Sequence, residues 1–395
     1  MKKTKIHFLD ELDLKNKNIF MRVDFNVPLA EGKVKDSHRI DKILPSIRYV
    51  LEQGGRLVLG SHLGRPDGQP DSQLSLKPVA EYLTETHNLE VLFLDEPDSE
   101  APPVLLPGLK GNQLILLENL RFQKGEMDGD REFAKKLAAY TDIYINEGFS
   151  ISHRAHASVV LLPELVSCRG GGFLLREEMK QLDYIRLNPK KPFFVILGGS
   201  KVKDKIPLLE SLIDQADEFF IGGLIAYTFL KAQGVSVGHS PVEEGYLRQV
   251  ADFIERIKER GKKLWLPKDH VVVNASPSQD SAKTTKGQDI SENYQGVDIG
   301  PFTQKEFTER IVRAYSLFWN GPMGLFEKEP FSFGTHALAR AVASHGLAHR
   351  VVGGGHSALA VRDYEDQINH VSTGGGASLH YLQGSNIPGI QSIKM

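Results

Sequence analysis

The chain has a single cysteine, Cys168, in 395 residues. It can form neither an internal disulfide nor a cysteine-based metal cluster, which fits a reducing cytoplasm. An excess of either charge is also missing. With 48 Lys and Arg against 50 Asp and Glu, the formal net charge is −2, and no global basic field argues for nucleic acid or an anionic membrane as partner. No apolar run approaches the length that spans a bilayer. The opening MKKTKIHFLDEL has the lysines of a signal peptide, but Asp10 and Glu11 interrupt any apolar core, so no such signal is expected. What remains, 25% charged and 41% hydrophobic residues, is ordinary for a soluble globular protein. The length suggests two domains, or three.

What is present is one pattern, repeated. A short β-branched or aromatic run ends in glycine or polar residues, and a stretch of helical period follows. In the first half the runs are IFMRVDF (19–25), RLVLG (56–60), QLILLEN (113–119) and DIYIN (142–146); in the second they are FFVIL (193–197), EFFIG (218–222), SLFWN (316–320), RVVGG (350–354) and INHVS (368–372). Helical spacing appears between them in REFAKKLAAY (131–140), LIAYTFLKA (224–232) and THALARAVAS (335–344). The alternation predicts an α/β chain of parallel sheets with helices on both faces. Ligands in such folds sit beyond the carboxyl ends of the strands, so the informative residues should follow each run. A charged amphipathic stretch bounded by three glycines and by Asn-Pro-Lys-Lys-Pro, near 170–192, reads as a connector between two domains or as an ordinary surface helix.

The first half points to an anion. Arg39, Arg65, Arg121 and Arg154 fall in loops or turns, in SHRID, SHLGRP, ENLRF and HRAHAS, with Asn26 and His62 in similar strand-end positions. The planar guanidinium fork matches phosphate or carboxylate oxygens. One such arginine alone reads as a surface ion pair; four together point to a shared polyanion site. Asp24 could orient arginines, accept a substrate hydroxyl, or form a structural ion pair.

The second half points to a nucleotide phosphate. LGGSKVKDKI (197–206) follows a strand, and Lys201 and Lys205 stand at i, i+4. If a helix starts there, both ammonium groups project to one face, and its free N–H groups add positive potential. The spacing is not that of a P-loop. Further glycine clusters occur in IGGL (221–224), WNGPMGLFE (319–327), VVGGGHS (351–357) and STGGGAS (372–378), and suggest several loops lining one crevice. Glu327 could bond a ribose hydroxyl or be a solvated surface charge.

Taken together, MRVDFNVP, SHLGRP, ENLRF, HRAHAS, GGSKVKDKI, WNGPMGLFE and STGGGAS occur in the order and approximate spacing of phosphoglycerate kinases, and the chain resembles that family over nearly its whole length. The resemblance implies two Rossmann-like parallel-sheet domains: a 3-phosphoglycerate domain, 1–171, rejoined by the C-terminal tail 386–395; a connecting helix, 172–188; and a nucleotide domain, 189–385. It implies reversible phosphoryl transfer between 1,3-bisphosphoglycerate plus ADP and 3-phosphoglycerate plus ATP, by a cytoplasmic monomer with no nucleic-acid or membrane partner. Asp24, Asn26, Arg39, His62, Arg65, Arg121 and Arg154 would hold the glycerate. Gly199, Ser200, Lys201, Lys205, Gly222, Gly223, Asn320, Glu327, Gly355, His356 and Ser357 would hold the nucleotide. Arg39, Lys201 and Lys205 would be catalytic. Arg39 and the two lysines fall in different halves, so the site would be complete only when the domains close, which also excludes water.

The chain departs from the family pattern in two places. Where the family reads NDAFGTAHRAHAS, this chain has Glu147, Gly148, Ser150 and Ile151. Where the family has an aspartate after GGG, a magnesium ligand, this chain has His356. Imidazole is a poor ligand for magnesium. Three readings follow: magnesium stays on the nucleotide's phosphates with His356 as a nearby donor; protonated His356 binds a phosphate; or the chain is an impaired homologue. The alternative to a kinase is a nucleotide or anion sensor on the same fold.

Overall fold

The computed structural model describes residues 5–274, 282–344, 346 and 348–395. They form two compact units: the first runs to Met179 and regains the tail Asn386–Met395, and the second is Lys180–Ser385. The first unit's sheet contains β1 (Asn18–Arg22), β2 (Arg56–Gly60), β3 (Glu90–Leu94), β4 (Gln113–Leu117), β5 (Ile143–Asn146) and β6 (Cys168–Gly171). All pairs are parallel, in the order β3-β4-β2-β1-β5-β6. Residues 19–22 and 143–146 are buried without alternation, as expected of strands covered on both faces. Helix α1 (His38–Glu52) packs Ile40, Ile43, Ile47 and Val50 into this core, one stripe of a 3.6-residue period. The tail is held in the same unit: Asn146 Nδ2 donates to the Gly389 carbonyl at 3.0 Å and the Gly389 N–H to Ser152 at 2.8 Å.

The second unit repeats the plan. β7 (Phe193–Leu197), β8 (Glu218–Ile221), β9 (Lys263–Trp265), β13 (Ser316–Asn320), β14 (His349–Gly353) and β15 (His370–Val371) form a parallel sheet in the order β9-β8-β7-β13-β14-β15. A separate antiparallel sheet of β10 (His270–Asn274), β11 (Lys283–Thr284) and β12 (Tyr294–Ile299) was not expected from the sequence. Helix α2 (Phe173–Leu187) contains the division between the units.

Several strand ends move inward from the expected runs. IFMRVDF stops pairing at Arg22 because the next residues leave the sheet for the site; the Phe25 N–H goes to Ser61 Oγ at 2.8 Å instead of to a ladder partner. INHVS keeps only His370–Val371. Strand β6 is glycine-rich and carried no β signal. Its glycines answer to crowding, since a Cβ on Gly170 would lie 2.4 Å from the His7 carbonyl oxygen.

Candidate active site

Parallel strands deliver their carboxyl ends to one edge of a sheet. In the first unit that edge carries Asp24 and Asn26 after β1, His62 and Arg65 after β2, Arg121 after β4 and Arg154 after β5. Asp24 is buried. Its Oδ2 accepts from Arg39 Nη1 and from the Ser150 hydroxyl, and its Oδ1 accepts from the Asn26 N–H at 2.9 Å. Burial opposes its ionisation, but the Arg39 guanidinium, with His62, Ser150 and the Asn26 amide, holds it below the usual carboxylate range. Of the roles left open for Asp24, orienting Arg39 is the one these bonds perform. His62 Nε2 lies 3.9 Å from Asp24 Oδ1. Burial pushes the His62 imidazole well below its ordinary value against the pull of Asp24, with arginines 22, 121 and 39 adding to the shift. His62 therefore offers a neutral donor and no charge.

The Gly64 peptide is gripped from both sides. Its N–H donates to Asn26 Oδ1 at 2.9 Å, and its carbonyl accepts from Arg121 Nη1 at 2.8 Å. That fixes the turn presenting Arg65, which is exposed, as is Arg154. Burial, with Arg22 nearby, lowers the Arg121 pKa to about 10, still cationic at neutral pH. Two participants escaped the sequence reading. Arg22, at the end of β1, is fully buried against Glu126, and Ser150 completes the Asp24 cluster. Arg22 stands inside the RVDFNVP motif, so its signal was present.

In the second unit the strand ends of β7, β13 and β14 surround a cleft of about 190 Å³ lined by Gly198, Gly199, Ser200, Lys201, Asp204, Lys205, Asn320, Gly321, Pro322, Gly354, Gly355, His356 and Ser357. Pockets for whole drug-sized ligands run to roughly 300–1,000 Å³, so this volume suits the phosphate end of a nucleotide. Glycine is required at several lining positions: Gly321 and Gly354, for example, have φ of 95° and 94°, and a Cβ on Gly321 would meet the Gly198 carbonyl at 2.3 Å. Ser357 Oγ accepts from the Gly321 N–H at 2.6 Å and ties two of the loops together.

The lysines differ from expectation. Helix α3 (Val202–Leu212) begins after Lys201, which is its extended N-cap residue, so the two ammonium groups do not share a helical face. The first amides of α3 are not free either: those of Val202 and Lys203 donate to the Glu243 carboxylate, which caps the helix. Lys205 is directed inward, its Nζ donating to Asn320 Oδ1. Burial brings its pKa down to about 8, against the pull of Asp204.

Three of the expected nucleotide residues fall outside this lining. Gly222 and Gly223 pack behind it, where a Cβ would meet Met323 Sδ at 2.4 Å and the Gly199 nitrogen at 2.5 Å respectively. Glu327 is exposed, with Oε1 3.6 Å from His356 Nε2. The STGGGAS glycines also lie elsewhere and open a different helix, Gly376–Leu382. Asp204, Gly321 and Gly354 are lining residues that the sequence reading did not single out.

Residues 9–385 match the family profile described as phosphoglycerate kinase. The chain belongs to the phosphoglycerate kinase family. It is 47% identical over 386 residues to the phosphoglycerate kinase of Bdellovibrio bacteriovorus, covering 97% of this chain and 96% of that one. To the enzyme of Clostridium tetani it is 42% identical over 389 residues, covering 98% and 97%. Among solved structures, phosphoglycerate kinase from Coxiella burnetii superposes with a TM-score of 0.85 at 39% identity, over 98% of this chain and 99% of that chain. The Pyrococcus horikoshii enzyme gives a TM-score of 0.85 at 29% identity, over 98% of each chain. The two-sheet α/β architecture is thus that of the family.

Proposed function

We propose that the chain transfers a phosphoryl group reversibly between 1,3-bisphosphoglycerate plus ADP and 3-phosphoglycerate plus ATP. The observation that carries this reading is the pairing of two sites in one chain of this family: an arginine-rich anion site in the first unit, and a glycine-lined cleft holding Lys201 and Lys205 in the second. Asn26, His62, Arg65, Arg121 and Arg154 bind the glycerate. Arg39, aimed by Asp24, stabilises charge on the transferring group. Lys201 and Lys205 serve the nucleotide phosphates, with Asn320 orienting Lys205. The chemistry asks for positioning and charge and little covalent help. A cytoplasmic monomer belongs to the same proposal, because one chain supplies every proposed residue and the single cysteine suits a reducing compartment.

Coupled turnover with 3-phosphoglycerate and ATP tests the reading. Binding of both substrates without product would sink it in favour of a sensor, which has no use for both Arg39 and Lys201.

Among the described residues no group of three or more His, Cys, Asp or Glu is placed to hold a metal. Asp204 is the carboxylate of the cleft lining. This donor set does not cage magnesium, but it fits a cation carried on the nucleotide and keeping its waters. Asp204 would face that water shell, and magnesium, when bound, would neutralise phosphate charge. His356 lines the cleft where the family resemblance implies an aspartate. The chain should therefore discriminate less between free and magnesium-bound ADP than its His356→Asp variant does. Its own preference should be on the order of 1 kcal/mol or less, the scale of one screened charge interaction. Titration calorimetry with and without magnesium decides this; a larger magnesium dependence in the native chain means that His356 does not stand in the aspartate's place.

Lys205 gives a pH expectation. Its ammonium is the form that attracts phosphate, and the free protein loses that proton as pH rises through about 8. The kcat/KM for nucleotide should fall above that pH, because it reports groups of the free enzyme. Lys205→Arg should flatten the fall, since guanidinium stays charged. An alkaline limb unchanged in Lys205→Arg would assign it to another group.

A further inference from the structure

Glu147 lies in the loop after β5, fully buried. Its Oε1 accepts from the Ser46 hydroxyl and from the Leu174 N–H at 3.0 Å, and its Oε2 accepts from the Leu175 N–H at 3.2 Å. Ser46 Oγ in turn accepts from the Phe173 N–H at 3.1 Å. Three successive amides of the first turn of α2, which have no partner within their own helix, therefore end on one glutamate and one serine. The approach is close. A Cβ on Gly172 would lie 1.9 Å from Glu147 Oε2, so only bare backbone lets the helix start there.

The same loop reaches Arg39 by two routes. Ser46 sits on α1 two helical turns beyond Arg39, on the same face. Ser150, three residues after Glu147, donates to Asp24 on the oxygen that holds Arg39. Both the helix that carries the arginine and the carboxylate that aims it are thus anchored in residues 147–150.

We propose that Glu147 is a positioning residue for the transfer reaction: it ties the arginine-bearing helix α1 to the first turn of α2, and the tie responds to the protonation of its carboxyl. The link to turnover rests on the kinase reading above.

The charge balance supports this. Burial pushes the Glu147 carboxyl up to about 7, opposed by the bonds from Ser46, Leu174 and Leu175 and by the charge of Arg176 on α2. From the other packed elements, α1 contributes the uncharged Ser46, α2 also carries the buried Glu178 one turn further on, and Asp24 connects through Ser150. A protonated carboxyl can still donate to the Ser46 hydroxyl and accept from the amides of Leu174 and Leu175. Opening that lets water reach these amides also hydrates the carboxyl and returns it to the ordinary range, so the closed form holds the proton more tightly than the open one. The tie therefore weakens as pH rises through about 7.

Hydrogen exchange on the intact chain, without substrate, reads the tie directly. After correction for intrinsic rates, protection of the amides of residues 173–175 should rise about tenfold from roughly pH 8 to pH 6, the factor by which a carboxyl held at about 7 in the closed form shifts the opening equilibrium. In Glu147→Gln protection should not vary with pH. The kcat should fall as pH rises through about 7, a limb that Glu147→Gln removes and Glu147→Asp partly restores, with KM for 3-phosphoglycerate unchanged within about twofold. Protection in the native chain that does not vary with pH overturns the proposal even if the variants fail to fold. A limb at about pH 7 that survives in Glu147→Gln removes the positioning role. Absence of turnover in the native chain breaks the kinase reading and the link to it, and the exchange result still decides whether the tie is proton-dependent.

Discussion

Arg39→Ala is expected to lower kcat by about 10²–10³-fold, the scale seen when a preorganised donor to developing charge is removed, while KM for 3-phosphoglycerate changes by less than about threefold. Arg39 is half-buried on α1 and bonded to Asp24, so it waits in a fixed orientation before substrate arrives. A group that is already ordered adds little on ground-state binding and most when charge spreads over the transferring oxygens. Asp24 keeps its bonds to Ser150 and to the Asn26 N–H in the variant, so the site should not collapse. Steady-state kinetics in both substrates check this. A loss confined to KM would assign Arg39 to ground-state binding and leave the transfer to another cation.

The other large effect concerns stability. Arg22 and Glu126 are both fully buried, with Nη2 and Oε1 3.5 Å apart. Arg22 also donates to Ser158 Oγ at 2.7 Å and to the Val23 carbonyl at 2.6 Å, and Glu126 accepts from the Ser158 N–H at 2.8 Å. Arg22→Met leaves a buried carboxylate without its cation, and should destabilise the first unit by about 3–5 kcal/mol. Arg22→Met with Glu126→Leu should recover more than half of that, because the uncompensated charge is gone. The probe matters: both tryptophans, Trp265 and Trp319, lie in the second unit, so their fluorescence would miss the change. Hydrogen exchange in denaturant on peptides from β1 and β5 reads the right unit. A loss below about 1 kcal/mol in the single variant would mean that Glu126 is served well enough by Ser158 alone.

The sequence carried the site motifs because strand ends and loops put chemistry where composition shows it. Arg39, Arg65, Arg121, Lys201 and the glycine clusters stand out as polar or flexible residues after apolar runs, and β2, β7 and β13 matched their runs residue for residue. The antiparallel sheet of β10–β12 escaped because its strands pair with near neighbours in sequence and stand outside the strand–helix alternation that marked the others. Glu243 escaped for a different reason: nothing near residue 243 announces that its carboxylate caps a helix beginning at Val202.

The sequence by itself determined the alternation of strand and helix, the family, and the identities of the charged groups. Those follow from local periodicity and from residue types, which the chain carries wherever it folds. Tertiary structure alone decided what each charge does. Asp24 became the holder of Arg39, His62 a neutral donor, Lys205 an ammonium that titrates near about 8, and Glu147 the acceptor for the first turn of α2. The reason is physical: a side chain's protonation and orientation are set by desolvation and by partners within a few ångströms, and those partners come from β-strands, loops and helices far apart along the chain.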